Sequence, residues 1–177
     1  MRDSLTTARL IGTAASASDF DDLRRLHADR RVTATLSADG QPFSENQTRD
    51  FLARAAEHWI SHGFGLWMFR DRTNHDFVGY GGVRHTIIES RDQLELAYAI
   101  AFDQQRKGYA TEISLAALRH AFSDLGLDHV VAFTLPHNHA SRRVMEHCGF
   151  TYTRDVVHAG LPHVLYVLRA ADFSSPP

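Results

Sequence analysis

The first third of the chain has the hydrophobic spacing of amphipathic helices. An apolar side chain every three or four positions predicts a helix over residues 19–30. Residues 44–47 form a capping-box pattern, so a second helix is predicted to begin there and to end at Gly63. A short strand over residues 7–11 precedes both helices.

From residue 64 onward the pattern changes to short apolar and aromatic runs, which are typical of strands. The first three runs are joined by connections too short for crossover helices, so they form an antiparallel meander. The resulting order, βααβββαβαββ, predicts a single-domain α/β (α+β) fold with a mixed, mostly antiparallel sheet flanked by helices. The predicted strands cover residues 64–70, 77–88, 93–102, 129–134, 150–156 and 163–168, and the later helices cover residues 109–125 and 138–148.

Composition agrees with one globular domain of 177 residues, because 44% of the residues are hydrophobic and 23% are charged. The net charge of −2 gives no electrostatic case for binding nucleic acid or an anionic membrane. A single cysteine, no signal-peptide core and no membrane-spanning run lead us to expect a cytoplasmic protein. We expect the domain to cover residues 7–170 and a flexible tail to follow over residues 171–177.

The polar loop between the third strand of the meander and the next helix carries the first chemical signal. Free N–H groups at a helix N-terminus bind anions, and Gly108 and Ala110 leave room for a phosphate to approach. Arg106 and Lys107 add positive charge. The loop therefore indicates a phosphate-bearing ligand, although an ordinary strand-to-helix turn with solvated basic residues explains the same pattern.

Two motifs in this half of the chain resemble those of the GNAT N-acetyltransferases. Residues 105–110, Gln-Arg-Lys-Gly-Tyr-Ala, match the pattern [QR]-x-x-G-x-[GA]. Residues 138–150 are similar to the family's N-x-x-S-x-x-[VL]-[MY]-E-x-x-G-F segment. The resemblance extends over residues 7–168, and its RimJ/RimL-like features lie at residues 7–11, 95–98 and 161–166.

The resemblance implies a fold with splayed central strands and transfer of an acetyl group from acetyl-CoA to a primary amine. The amine would attack directly in a ternary complex, without a metal, and a homodimer is compatible with the family. The acceptor would be a protein N-terminus, an amino acid, a polyamine or an amine-bearing antibiotic. The residues expected to bind the cosubstrate are Ala101, Phe102, Gln105, Arg106, Lys107, Gly108, Tyr109, Ala110 and Asn138.

Two residues are candidates for the catalytic groups. Glu95 shares a strand face with small alanine side chains and is the first candidate for the general base; an ordinary salt-bridged carboxylate is the alternative. Ser141 is the candidate acid or hydrogen-bond donor for the departing thiolate, because Met145 stands where other branches of the family have a tyrosine. A serine that bonds its own helix backbone is the alternative here.

The chain has an unusual number of histidines, 12. We expect His85, His158 and His163 to line the acceptor pocket, and His163 could replace Glu95 as the base. We expect no metal site, since no Cys or carboxylate completes a ligand set near His137 and His139. Two other functions stay open: transfer of a longer acyl group, and a catalytically silent CoA-binding protein with the same fold.

Overall fold

An eight-stranded sheet in the order β1-β2-β3-β4-β5-β6-β8-β7 organises the computed structural model, which describes residues 4–37 and 39–174. Neighbouring strands are antiparallel except β5 and β6, which are parallel. The strands are β1 (Ser4–Thr6), β2 (Leu10–Ala14), β3 (Leu66–Asp71), β4 (Phe77–Ile88), β5 (Arg91–Ile100), β6 (His129–Thr134), β7 (Thr151–His158) and β8 (Leu161–Arg169). The helices are α1 (Phe20–Ala28), α2 (Arg30–Thr33), α3 (Glu45–His62), α4 (Tyr109–Arg119) and α5 (His139–His147).

Helix α3 begins and ends where local sequence chemistry predicts. The Ser44 side chain accepts the N–H of Gln47, and the Gln47 side chain accepts the N–H of Ser44 at 2.7 Å. Gly63 ends the helix in the left-handed conformation, with φ +73°. The capping box and the glycine stop are therefore confirmed.

The predicted helix over residues 19–30 is instead two helices. Asp29 adopts an extended backbone after α1, and its carboxylate accepts the N–H of Arg31 to cap the four-residue helix α2. An aspartate favours this capping role over a position inside a helix. Residues 7–9 of the predicted opening strand are instead a turn between β1 and β2, in which the N–H of Thr7 donates to the carbonyl of Leu10 at 2.9 Å.

Helix α4 packs on one face of β4, and α1 and α3 pack on the other. A Cβ atom at Gly81 would lie 2.4 Å from Cγ2 of Ile113, so only a glycine allows α4 to approach β4 this closely. On the opposite face the ring of Tyr80 contacts those of His27 and Phe51. The α-helical part of the predicted helix over residues 109–125 ends at Arg119. The chain then continues as a π-helical turn over His120–Asp124.

The two central strands separate soon after they meet. Strands β5 and β6 pair at a single position, Glu95 with Val131. Strand β6 then pairs with β8 along its full length, and β8 pairs with β7. This arrangement confirms the predicted mixed, mostly antiparallel sheet with splayed central strands.

The end of the chain contacts the domain up to residue 173. Ala170–Asp172 form a 3₁₀ turn, and the ring centroid of Phe173 lies 5.2 Å from that of Phe122. The last three residues of the predicted tail lie outside the described part. Within the described ranges, no helix combines the length and the apolar character needed to cross a membrane.

Candidate active site

A cleft of about 970 Å³ opens where β5 and β6 separate. Its walls come from strand β4, the second half of β5, the end of β6, the loop before α4, helices α3 and α5, α2 with the segment after it, and the β7–β8 hairpin. Both predicted catalytic residues, Glu95 and Ser141, line it. So do the predicted binding residues Gln105, Arg106, Gly108, Tyr109, Ala110, Asn138, His158 and His163.

Four predicted site residues are not among the residues that line this cleft: Ala101, Phe102, Lys107 and His85. The ring of Phe102 lies beneath the guanidinium of Arg31, 3.8 Å away. The Lys107 ammonium donates to the side-chain oxygen of Gln104 at 2.9 Å. His85 instead lines a second, smaller cavity, which His58 and Arg84 also line.

The free edge of β5 lies at Tyr98 rather than at Ala101. The N–H of Ala101 donates to the carbonyl of Val78 on β4, at 2.9 Å. Bonded and non-bonded pairs alternate along an antiparallel ladder, so Tyr98, three residues earlier and opposite Gly81, turns its N–H and carbonyl away from β4. These groups point into the gap between β5 and β6, where an extended ligand can bond to them.

The loop before α4 turns its backbone amides toward the cleft. Arg106 and Gly108 both have positive φ, +60° and +82°, and Gly108 is the N-cap of α4. No side chain caps this N-terminus. The first N–H groups of a helix have no partner within the helix, so the start of α4 offers them, with the positive end of its dipole, to an anion.

Arg9 fixes this loop from outside the cleft. Its guanidinium donates to the carbonyl of Lys107 at 2.9 Å and pairs with the carboxylate of Glu112, with an N···O distance of 2.6 Å. Partial burial raises the pKa of Glu112, but hydrogen bonds from Thr7 and Arg9 lower it by more, so its pKa lies below the usual value. No local sequence signal indicates this role of Arg9, because its partners lie about a hundred residues away.

A second hydroxyl accompanies Ser141. The Tyr98 hydroxyl lies 2.9 Å from Oγ of Ser141 and 3.2 Å from its carbonyl oxygen. Asn138 caps α5 by accepting the N–H of Ser141 at 3.2 Å, and its amide donates to Oγ1 of Thr134. Burial raises the pKa of Tyr98 above its usual range, so the phenol stays protonated. Tyr98 and Ser141 together form a hydroxyl pair beside the free edge of β5.

Glu95 lies at the point where β5 and β6 part. Its side chain is 8% exposed, and its carboxylate accepts from Nε of Arg84 at 3.3 Å. The two residues face each other across β4 and β5. Arg84 is 36% exposed and lines the cleft together with Glu95, so the buried carboxylate is paired where it borders the cleft.

His163 lines the same cleft as Glu95 and has a free ring nitrogen. Its Nδ1 lies 3.0 Å from the carbonyl oxygen of Leu161, so Nδ1 carries the hydrogen and Nε2 keeps its lone pair. Burial lowers the pKa of His163, although the bond to Leu161 opposes this, so the ring is neutral at pH 7. Cys148, by contrast, offers no nucleophile, because burial raises the pKa of its thiol to about 12.

Comparisons with known proteins agree on one family. A family model described as the acetyltransferase (GNAT) domain matches residues 9–151. YkkB, an uncharacterised Bacillus subtilis protein, is 28% identical over 122 residues, which cover 69% of this chain and 71% of that protein. The FsC-acetyl coenzyme A-N(2)-transacetylase of Aspergillus fumigatus is 28% identical over 161 residues, covering 84% of this chain and 65% of that enzyme.

A solved structure gives the same result for the fold. A Bordetella pertussis protein assigned to the GNAT acetyltransferases superposes with a TM-score of 0.82 at 26% identity. The match covers 94% of this chain and 99% of that one.

The loop geometry predicts how a coenzyme A ligand stabilises the protein and which glycine it needs. Saturating acetyl-CoA, at about 100 times its Kd, is expected to raise the melting temperature by about 5–10 °C. Gly108→Val is expected to abolish this shift, because a branched residue resists φ +82° and the loop amides lose their alignment. Differential scanning fluorimetry with and without acetyl-CoA measures both values.

Gly126→Val is the matched control. Gly126 also has positive φ, +66°, and a Cβ atom there would meet nothing within 4 Å beyond its chain neighbours, but the residue lies outside the cleft lining. Both variants are expected to lower the basal melting temperature, while only Gly108→Val loses the ligand-induced shift. A full shift in Gly108→Val would contradict the role of this loop.

Proposed function

Since the chain belongs to the GNAT acetyltransferase family, whose members use acetyl-CoA, we propose that it acetylates a primary amine whose molecule also carries a negative charge near that amine. The observation that carries the proposal is the charge of the acceptor end of the cleft. There the carboxylate of Glu95 is paired with Arg84, and Arg54 adds a further cation.

The position of acetyl-CoA in this proposal follows from two backbone features. The amides at the start of α4 bind the pyrophosphate, and the free edge of β5 at Tyr98 bonds to the pantetheine arm. An arm in this position brings the thioester between Glu95 on one side and the Tyr98–Ser141 hydroxyl pair on the other. The amine then reaches the thioester from the end of the cleft that contains Arg54 and His163.

The reaction requires two proton transfers, and the cleft has a group for each. The substrate ammonium first loses a proton to Glu95, and the free amine attacks the thioester carbonyl to form the C–N bond. The C–S bond then breaks, the nitrogen loses its second proton to solvent, and the sulfur accepts a proton through the Ser141 hydroxyl, which regains one from solvent. Tyr98 supports this step because its phenol can donate to the oxygen of Ser141 as charge develops there.

The acceptor's charge follows from the side chains around Glu95. Arg84 already neutralises Glu95, and Arg54 is exposed, with no ion-pair partner among the described residues. A polyamine would bring several positive charges toward two guanidinium groups, and like charges repel. An amino acid or a peptide N-terminus beside an acidic side chain would bring a carboxylate to Arg54, so these acceptors are favoured.

A panel of amines tests the proposal through thiol release from acetyl-CoA. Amino acids and dipeptides are each compared with the matching carboxamide, and polyamines are included. The carboxylate forms are expected to have a kcat/KM about tenfold higher than the amides, a difference of about 1.4 kcal/mol. Arg54→Gln is expected to remove this preference without changing the KM for acetyl-CoA. Faster turnover of polyamines would contradict the acceptor class, and no amine-dependent release would support a silent CoA-binding protein.

Replacement of the proposed base has a distinct kinetic signature. Glu95→Gln keeps the side-chain shape and is expected to lower kcat by about 100-fold or more, because a general base contributes about 10²–10⁴-fold. The KM for acetyl-CoA should change little, and the loss should shrink at high pH, where free amine is abundant. His163→Gln is the comparison variant. Wild-type kcat in Glu95→Gln with a large loss in His163→Gln would make His163 the base.

The hydroxyl pair is tested by a double-mutant cycle in single-turnover experiments. Ser141→Ala is expected to slow acetyl transfer about 5- to 150-fold, from the loss of about 1–3 kcal/mol in the transition state. Tyr98→Phe should slow it less, and the double variant should match Ser141→Ala, because Tyr98 acts through Ser141. Independent, additive effects would show that Tyr98 contacts the reacting atoms by itself. Equal rates in wild type and Ser141→Ala would assign the thiolate proton to water.

A further inference from the structure

Three histidine rings meet between the end of α3 and strand β4, outside the residues that line the cleft. His58, His62 and His85 each offer one ring nitrogen, and these three atoms lie within 4.8 Å of one another. The ring centroids are 4.5 Å apart for His58 and His62, 4.5 Å for His62 and His85, and 5.6 Å for His58 and His85. Acetyl transfer uses none of these rings.

We propose that His58, His62 and His85 bind one divalent transition-metal ion of the Zn²⁺ or Ni²⁺ class. Imidazole nitrogen suits these ions, whereas Mg²⁺ and Ca²⁺ require oxygen ligands. His58 and His62 are four residues apart on α3, so they lie on the same helix face one turn apart. Three protein nitrogens leave one tetrahedral position for water.

The surroundings of His85 resemble the outer shell of a metal ligand. Its Nδ1 lies 2.8 Å from a carboxylate oxygen of Asp92 on the neighbouring strand β5. This bond places the hydrogen on Nδ1 and leaves the Nε2 lone pair for a metal. The same bond fixes the orientation of the His85 ring, which is partly exposed near the end of β4.

The position of the cluster in the fold also favours a cation. His62 is the last residue of α3, and the free carbonyls at a helix C-terminus give it partial negative charge. His62 is exposed, so an ion can reach the cluster from solvent. A cavity of about 350 Å³ adjoins His58 and His85.

His58 is held at both of its ring nitrogens. Its Nδ1 donates to the carbonyl of Phe64 at 2.7 Å, and its Nε2 accepts the backbone N–H of His85 at 3.0 Å. An ion must therefore displace that N–H before His58 can act as a ligand. This exchange lowers the affinity of the site and makes His62 and His85 the ligands that an ion contacts first.

The test is isothermal titration of tag-free, metal-free protein with Zn²⁺, Ni²⁺ and Mg²⁺. For Zn²⁺ and for Ni²⁺, the highest-affinity binding step is expected to take up one ion per protein chain. Mg²⁺ is expected not to bind. His62→Ala removes an exposed ligand on a helix, where alanine is well tolerated, and is expected to weaken that step at least tenfold. Asp92→Asn keeps all three ligands and is expected to weaken it about 10- to 100-fold.

His75→Asn is the matched control, because His75 is exposed in a turn with φ +62°, a conformation that asparagine also adopts. It is expected to leave the tightest step unchanged. Circular dichroism melting checks that each variant is folded. A titration without a one-equivalent step, or a step that neither His62→Ala nor Asp92→Asn weakens, would overturn the proposal and leave the three rings as packing around Phe64.

Discussion

The separation of β5 from β6 is the constraint on which the rest of the site depends. Two parallel strands that pair only at Glu95 and Val131 leave backbone N–H and carbonyl groups without partners inside the sheet. Such groups must bond to water or to a ligand, because an unpaired buried amide is costly. The pairing of β6 with β8 holds β6 away from β5, so the gap is built into the topology. A ligand that extends along Tyr98 completes the sheet where β6 has left it.

The anion site at the start of α4 keeps its position relative to this gap through contacts on two sides. The close approach at Gly81 holds α4 against β4, the strand that pairs with β5. Arg9, in the turn between β1 and β2, holds the loop through the carbonyl of Lys107 and the carboxylate of Glu112. In the proposed complex with acetyl-CoA, the packing of the whole sheet would therefore align the pyrophosphate on the loop with the pantetheine arm on β5. Replacement of the Arg9 side chain would remove these contacts and so alter the position of the loop, although Arg9 does not line the cleft.

The parts of the structure that the sequence predicts are those encoded by neighbouring residues. The capping box at Ser44, the stop at Gly63 and the bounds of β4 and β6 depend on residues that are close together in the chain, and each matches the prediction. The break at Asp29 is not predicted, because the apolar spacing within α1 gives no signal of it, and the capping preference of the aspartate decides the outcome. The free edge of β5 at Tyr98 is not predicted, because the ladder register with β4 cannot be obtained from the sequence of one strand.

The sequence does not reveal which side chains of the site contact each other, because the partners come from distant segments of the chain. Tyr98 and Ser141 are 43 residues apart, and His85 lies 27 residues from His58. Only the i, i+4 spacing of His58 and His62 gives a local signal for that cluster, and it is also common on solvated helix faces. Glu95 illustrates the limit most clearly. Its position on β5 follows from alternation, but its chemistry depends on Arg84, which the hairpin register brings opposite it. Because that guanidinium pairs with the carboxylate, the register of β4 against β5 decides how this buried charge is compensated.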